Sequence, residues 1–208
     1  MEERSTMLLH YIYLVAITAE ASSGAIAGMR REMDLFGLCL VGSITALGGG
    51  TVRDILLGHY PLGWVAHPQY LIFTIGAAII SSLAAQTVHR FNMVFLIVDA
   101  LGLVTFTIIG CDIARTYEHM HPSIVIAFGM ITGIFGGLLR DILCNEIPLV
   151  LRRELYASIS LITGCIYLGL LQTNVDISIS VLASISIGFL LRILAIYLHW
   201  ELPKFQRF

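Results

Sequence analysis

Apolar residues run in long blocks along this chain, separated by short polar breaks. The blocks lie at approximately residues 7–28, 34–57, 69–88, 92–114, 122–144, 154–172 and 176–199. Each comes near the roughly 20 residues an α-helix needs to cross a bilayer. None shows the short alternating strands of a barrel, so the pattern predicts an all-α integral membrane protein of seven transmembrane helices. The first block follows Met1-Glu2-Glu3-Arg4 and has neither a basic leader nor a clean small-residue cleavage site. It is read as a retained helix rather than a signal peptide.

Inside this apolar pattern two stretches break the rule in the same way. Gly48-Gly49-Gly50-Thr51-Val52-Arg53-Asp54-Ile55-Leu56 and Phe135-Gly136-Gly137-Leu138-Leu139-Arg140-Asp141-Ile142-Leu143 each place a glycine run and an Arg-Asp pair within a predicted span. A charged side chain near the bilayer centre costs about 2.5–3.5 kcal/mol on insertion scales, so an Arg-Asp pair present twice points to a functional site.

Residues 48–62 laid over 135–149, at an offset of 87, share eight identities in fifteen positions, including Pro61 with Pro148 and Leu62 with Leu149. The same offset pairs Gly42 with Gly129 and Thr45 with Thr132. The chain therefore divides into a first three-helix repeat over residues 1–90, a second over 91–174, and a seventh helix with a tail over 175–208. An odd number of spans separates equivalent points, so the repeats are inverted. Transporters built this way place the substrate path at the interface of the two halves.

Helical spacing puts Gly42, Ala46, Gly50 and Asp54 on one face and Thr45, Gly49 and Arg53 on the next, with the same arrangement in the fifth span. Two readings of the glycines stand together: close approach of helix backbones, and a weakened, kinked or unwound turn that opens carbonyls to a pathway. Neighbouring residues point about 100° apart on a helix. The expected ion pairs therefore run across the pseudo-twofold, Arg53 with Asp141 and Arg140 with Asp54, as gates or as a static network.

Among other embedded polar residues, Glu20 lies deep in the first span and is a candidate path residue, as are Thr45 and Thr132. Asp99 and Asp112 are read as satisfied carboxylates nearer the span ends. Ser22, Ser23, Thr105 and Thr107 can donate along a pore or bond back to their own helix. His59, Trp64, His67 and Tyr70 read first as interfacial anchors.

Composition and charge narrow the classes. Of 208 residues 57% are hydrophobic and 12% charged, with a mean hydropathy of +0.87, too little polar surface for a soluble globule. Arg30, Arg31, Arg90, Arg152, Arg153, Lys204 and Arg207 fall on one side of the predicted topology, against Arg4 and Arg115 on the other. This places the C-terminus in the cytoplasm and the N-terminus outside. Cys39, Cys111, Cys144 and Cys165 have no ligand spacing and read as packing residues. His119 and His121 do not make a metal site on their own. No Walker loop, HExxH, nucleophile elbow, dinucleotide fingerprint or basic nucleic-acid patch is present, so neither an enzyme, a metal site, a cofactor nor a nucleic-acid partner is expected.

The run Thr45 to Gly58, the later run Gly133 to Asp141, and Asp99-Ala100-Leu101-Gly102-Leu103 resemble the bacterial branch of the trimeric intracellular cation (TRIC) channel family. Its members carry two tandem glycine-transporter domains. Ile17-Thr18-Ala19-Glu20-Ala21 and Gly58-His59-Tyr60-Pro61-Leu62-Gly63-Trp64 resemble its inner-membrane subgroup. The resemblance implies two inverted three-helix repeats plus one helix, a homotrimer in membrane lipid, and a pore in each protomer. That pore would be lined by kinked second and fifth helices and pass potassium and other monovalent cations. The lysine motif that animal members use toward phosphoinositides is replaced here by Arg-Asp, so lipid regulation is not carried over.

Two transport functions remain open, beside a scaffold that would explain the glycines but not the charges. One is a monovalent cation channel of the inner membrane. The other is a carrier for glycine or a similarly small amino acid, with an arginine on the carboxylate and a carboxylate on the ammonium. The path residues expected for either are Gly48, Gly49, Gly50, Arg53, Asp54, Gly136, Gly137, Arg140, Asp141, Glu20, Thr45 and Thr132.

Overall fold

A computed structural model describes residues 2–85, 91–152, 155–173, 175–198 and 200. Among them the chain forms nine helices: α1 (Glu2–Met29), α2 (Leu35–Leu57), α3 (Gly63–Ala66), α4 (Gln69–Ala85), α5 (Phe91–Ala114), α6 (Pro122–Leu143), α7 (Leu149–Arg152), α8 (Tyr156–Leu171) and α9 (Ile177–Tyr197). Five spans, Met7–Met29, Leu35–Leu57, Met93–Ala114, Pro122–Leu143 and Ile177–Tyr197, are long and apolar enough to cross a membrane. Two shorter apolar helices, α4 and α8, take the third and sixth places. The protein is thus an all-α, multi-pass membrane protein with seven apolar helices, arranged as two inverted three-helix repeats and one further helix. Of the basic residues behind the expected orientation, Arg90, Arg153, Lys204 and Arg207 lie outside the described residues.

The repeat is written into the backbone as well as the sequence. Asp34 caps α2 by accepting the Gly37 N–H, and its counterpart 87 residues on, His121, caps α6 by accepting the Ser123 N–H. Both caps satisfy an amide that the first helical turn leaves without a partner. Glu32 and His119, just ahead of these caps, both have positive φ, as do Gly58 and Asn145 beyond the two helix ends. There the chain turns back identically: His59 N–H donates to the Asp54 carbonyl and Glu146 N–H to the Asp141 carbonyl, each at 2.8 Å. The left-handed residue and the returning amide together satisfy the last carbonyls of each helix.

The two four-residue helices α3 and α7 follow Pro61 and Pro148 and are absent from the hydropathy pattern, because they are too short to show a period. They stand in a similar relation to the motif, one residue out of register between the copies. The Asp54 Oδ2 accepts the Gly63 N–H at 3.1 Å and the Asp141 Oδ2 accepts the Leu149 N–H at 2.8 Å. Each motif aspartate therefore ties the end of a long helix to the short one after it.

At the centre, α2 and α6 pack against each other in opposite directions. A Cβ on Gly49 would collide with the Thr132 carbonyl oxygen, and one on Gly136 with the Thr45 carbonyl oxygen. Each repeat thus presses its glycine onto the other's threonine backbone. Both helices continue unbroken through their glycine runs, so the unwound turn expected from sequence does not form, and close approach is what the glycines provide. The buried apolar residues group around this crossing. One cluster joins Ile17, Leu47, Tyr70 and Phe106, and another joins Val41, Phe95, Leu103, Ile134 and Tyr156.

Candidate functional site

Both Arg-Asp pairs lie in the last turns of their helices, four residues beyond the crossing glycines. Because Gly49 meets Thr132 and Gly136 meets Thr45 on antiparallel helices, Arg140 is level with the part of α2 about twelve residues before Arg53, and at about 1.5 Å of rise per residue the two pairs lie roughly 18 Å apart along the axis. Pairing across the pseudo-twofold is therefore out of reach, and the structure corrects that expectation. Each arginine instead folds its long stem back onto the adjacent aspartate. Arg53 donates from Nε at 2.9 Å and from Nη2 at 2.7 Å to the Asp54 Oδ1, and Arg140 donates from Nε at 2.8 Å to the Asp141 Oδ1. The 100° between neighbouring side chains does not prevent this, because the guanidinium sits at the end of four rotatable bonds.

Beyond this shared element the copies diverge. Arg140 is fully buried, and its Nη1 donates at 2.6 Å both to the Asp99 Oδ1 and to the Ser23 hydroxyl. The Tyr156 hydroxyl donates to the same Asp99 oxygen at 3.3 Å. Asp99, read from sequence as an interfacial carboxylate, is instead completely buried, because α5 begins at Phe91 and sets it two turns inside. The residues 87 positions away from Ser23 and Asp99 are Gly110 and Ile12, and among the described residues Arg53 hydrogen-bonds to no second carboxylate and no hydroxyl.

The Arg140 cluster has a third carboxylate. Glu20 is 1% exposed and neither oxygen finds a hydrogen-bond partner among the described residues. Its carboxyl lies against Gly102, where a Cβ would collide with Oε1, and Asp99, Arg140 and Asp141 act on it electrostatically. Aromatic rings close the cluster. The Arg140 and Arg30 guanidiniums lie 4.6 and 4.4 Å from the centre of the Phe95 ring, and Arg192 lies 4.7 Å from that of Tyr156. Phe95 and Tyr156 carried no sequence signal, since aromatics in apolar helices read as packing. Arg192 did carry one, as a lone charge in the last span.

Arg53 is 4% exposed but lies at the edge of an open cavity of about 330 Å³ lined by Tyr13, Asp54, His59, Tyr60, His67 and Tyr70 among others. The corresponding space beside Asp141, lined by Arg30, Arg31, Phe95 and Glu146 among others, is about 60 Å³. His59 Nδ1 is 3.3 Å from the Asp54 Oδ1. Tyr70 is buried, its ring 4.7 Å from that of Tyr13 and 5.2 Å from that of His67, and the Trp64 Nε1–H donates to the Thr51 hydroxyl at 3.2 Å. His59, His67 and Tyr70 line the cavity in addition to any part at the membrane surface, whereas Trp64 does not.

The remaining candidates fall on the helices around this axis. A Cβ on Gly48 would come within 2.7 Å of the Leu139 side chain across the helix contact. Gly50 and Gly137 lie under the arginines of their own copies, with Nη2 3.6 and 3.4 Å from where a Cβ would sit. The Thr45 and Thr132 hydroxyls donate to the carbonyls of Val41 and Phe128 in their own helices, at 2.6 and 2.7 Å. Asp112, as expected, is satisfied near its span end by the Tyr167 hydroxyl at 2.6 Å and Arg115 Nε at 2.8 Å.

With this geometry in place, comparison with known proteins gives a consistent result. The family described as glycine transporter matches the chain twice, over residues 10–86 and 96–172. The inner membrane protein YadS of Escherichia coli (strain K12) is 34% identical over 96% of this chain and 97% of its own. The TRIC channel orthologue of Rhodobacter sphaeroides superposes with a TM-score of 0.87 at 31% identity, over 92% of this chain and 98% of that one. A prokaryotic TRIC channel crystallised in 0.5 M KCl gives 0.88 at 34% identity, over 95% and 100%. The chain is a multi-pass inner-membrane protein that belongs to the bacterial TRIC family, with two tandem glycine-transporter domains, and is no enzyme.

Proposed function

We propose that the protein conducts monovalent cations, potassium among them, along the contact of α2 and α6, with one path in each protomer of a homotrimer. The N-terminus lies outside and the C-terminus in the cytoplasm. The observation that carries this reading is the charge of the interior. Four carboxyl groups, those of Glu20, Asp54, Asp99 and Asp141, are buried there beside the cations of Arg53, Arg140 and Arg192. A low-dielectric path lined with carboxyl oxygens offers ligands to cations rather than to anions. The likeness to solved TRIC cation channels supports the same conclusion.

In this reading the glycine contact and the Arg140 cluster close the path. Conduction requires α2 and α6 to shift against each other, or Arg140 to exchange partners. Purified protein in liposomes, assayed for potassium-driven flux and for labelled glycine uptake side by side, tests it. Potassium flux without saturable glycine entry is expected; saturable glycine entry without ionic current would sink the channel. The carrier reading is kept because the family carries glycine in its description.

A further inference from the structure

The two cavities end differently. The outer one reaches the arginine of its own copy, since Arg53 stands in its wall. The inner one, lined by Ala27, Arg30, Phe95 and Asp141 among others, stops short of Arg140. Glu20, Ser23 and Asp99, which surround Arg140, are equally absent from that wall and are buried. Two residues of the wall also touch Arg140. Asp141 accepts from its Nε, and the ring of Phe95, 6% exposed, has the Arg140 guanidinium 4.6 Å from its centre.

Of these two, Asp141 is fixed at both oxygens, by Arg140 on Oδ1 and by the Leu149 N–H on Oδ2. Phe95 has no such bonds to break, and its ring turns about two side-chain torsions without any movement of a helix. What holds it is a second guanidinium. Arg30 lines the cavity, is exposed, and lies 4.4 Å from the centre of the same ring, so Phe95 carries one solvent-facing cation and one buried cation. The outer cavity has no equivalent: the residue 87 positions before Phe95 is Leu8, which does not line it.

From this we infer that Phe95 is the inner barrier of the path, its ring closing the inner cavity against the Arg140 cluster, and that Arg30 is the positioning residue that holds the ring in place. Its role in conduction rests on the cation-path reading above, in which a hydrated ion meets the apolar ring as a constriction that water leaves.

Helix α1 supplies a ruler for the test. Ala27 lines the inner cavity, and Ser23, one turn deeper, accepts from the Arg140 Nη1. Ala27→Cys and Ser23→Cys in the full-length protein in lipid nanodiscs are treated with a small methanethiosulfonate ammonium reagent. Mass spectrometry follows the tryptic peptide of residues 5–30, which has no cysteine of its own. Ala27→Cys should react with or without Phe95. Ser23→Cys should be protected while Phe95 is present and gain about tenfold or more in rate with Phe95→Ala, as a residue opened to solvent does over one reached only by local fluctuation. The native Cys111, fully buried in a different apolar cluster, should stay unmodified, which shows that the fold holds. Arg30→Gln leaves that core intact and should give a smaller gain at Ser23→Cys, so the test stands even if Phe95→Ala does not assemble. Ser23→Cys reacting as fast as Ala27→Cys with Phe95 in place, or staying protected in Phe95→Ala, would overturn the barrier; an unchanged rate in Arg30→Gln would overturn the part given to Arg30. Potassium flux into liposomes should rise in Phe95→Ala above that of the unsubstituted protein. Faster modification without any potassium flux counts against the channel and leaves the barrier standing.

Discussion

The two copies of the Gly-Gly and Arg-Asp motif start from nearly the same residues and end in different electrostatic states. Around Arg140 three directions are taken, Asp141 on one side, Asp99 and Ser23 on another, and Phe95 over the face, while Nη2 is buried with no hydrogen-bond partner among the described residues. Around Arg53 only Asp54 accepts from the guanidinium among the described residues, and the pair borders an open cavity. The motif itself does not account for this. The difference comes from α1 and α5, where Ser23 and Asp99 have Gly110 and Ile12 as their repeat counterparts. What a doubled motif does is thus decided by the helices packed against it.

The largest expected effect separates the copies most directly. Arg140→Ala leaves Asp99 and Asp141 buried without their cation and should cost about 3–5 kcal/mol, whereas Arg53→Ala strands a single carboxylate that His59 and the Gly63 amide still contact, and should cost distinctly less. Chemical unfolding in detergent followed by tryptophan fluorescence reads both, and equal losses would mean that the copies are energetically alike after all.

Next in size are substitutions at the crossing, where the copies should behave alike. Gly49→Ala and Gly136→Ala each drive a methyl into the opposite carbonyl and should each cost about 1–3 kcal/mol. A marked inequality between them would show that the crossing is not the symmetric contact described above. Tyr156→Phe removes one hydroxyl from Asp99 and should cost about 0.5–1.5 kcal/mol, a loss with no counterpart in the first repeat, where residue 69 is Gln. The smallest effect is Gly50→Ala. Its Cβ meets nothing nearer than the Arg53 Nη2 at 3.6 Å, so the change should be neutral or gain up to about 1 kcal/mol from helix propensity. A destabilised Gly50→Ala protein would reveal a contact that this conformation lacks.

Much of this architecture could be read from residue order. Seven apolar blocks became seven apolar helices, and the offset found in the Gly-Gly and Arg-Asp motifs recurs in caps and left-handed residues far from them, at Asp34 and His121 and at Glu32 and His119. Helical period and repeat spacing are local properties, which is why they survive translation into structure. Partner choice is not local. The pairing of Arg140 with Asp99 depends on the register between α5 and α6, and no periodicity within either helix encodes it. Asp99 was misplaced because hydropathy fixes a span to within a turn or two, which is the difference between an interfacial carboxylate and a buried one. The unwound glycine turn failed for a related reason: propensity disfavours glycine in a helix, but a tightly packed neighbour overrides propensity.

The crossing of α2 and α6 also has the form of a subunit interface. Gly49 meets Thr132 and Gly136 meets Thr45, so each residue and its counterpart exchange partners, which is the rule of a two-fold, isologous contact. One repeat laid antiparallel against an identical copy would make the same contact unaided, provided both insertion directions were available to it. Such a pair would be bound to keep its two arginine sites alike, because every change would appear twice. Covalent linkage of the halves removes that restriction, and an aspartate or a serine can be placed beside one arginine without being placed beside the other.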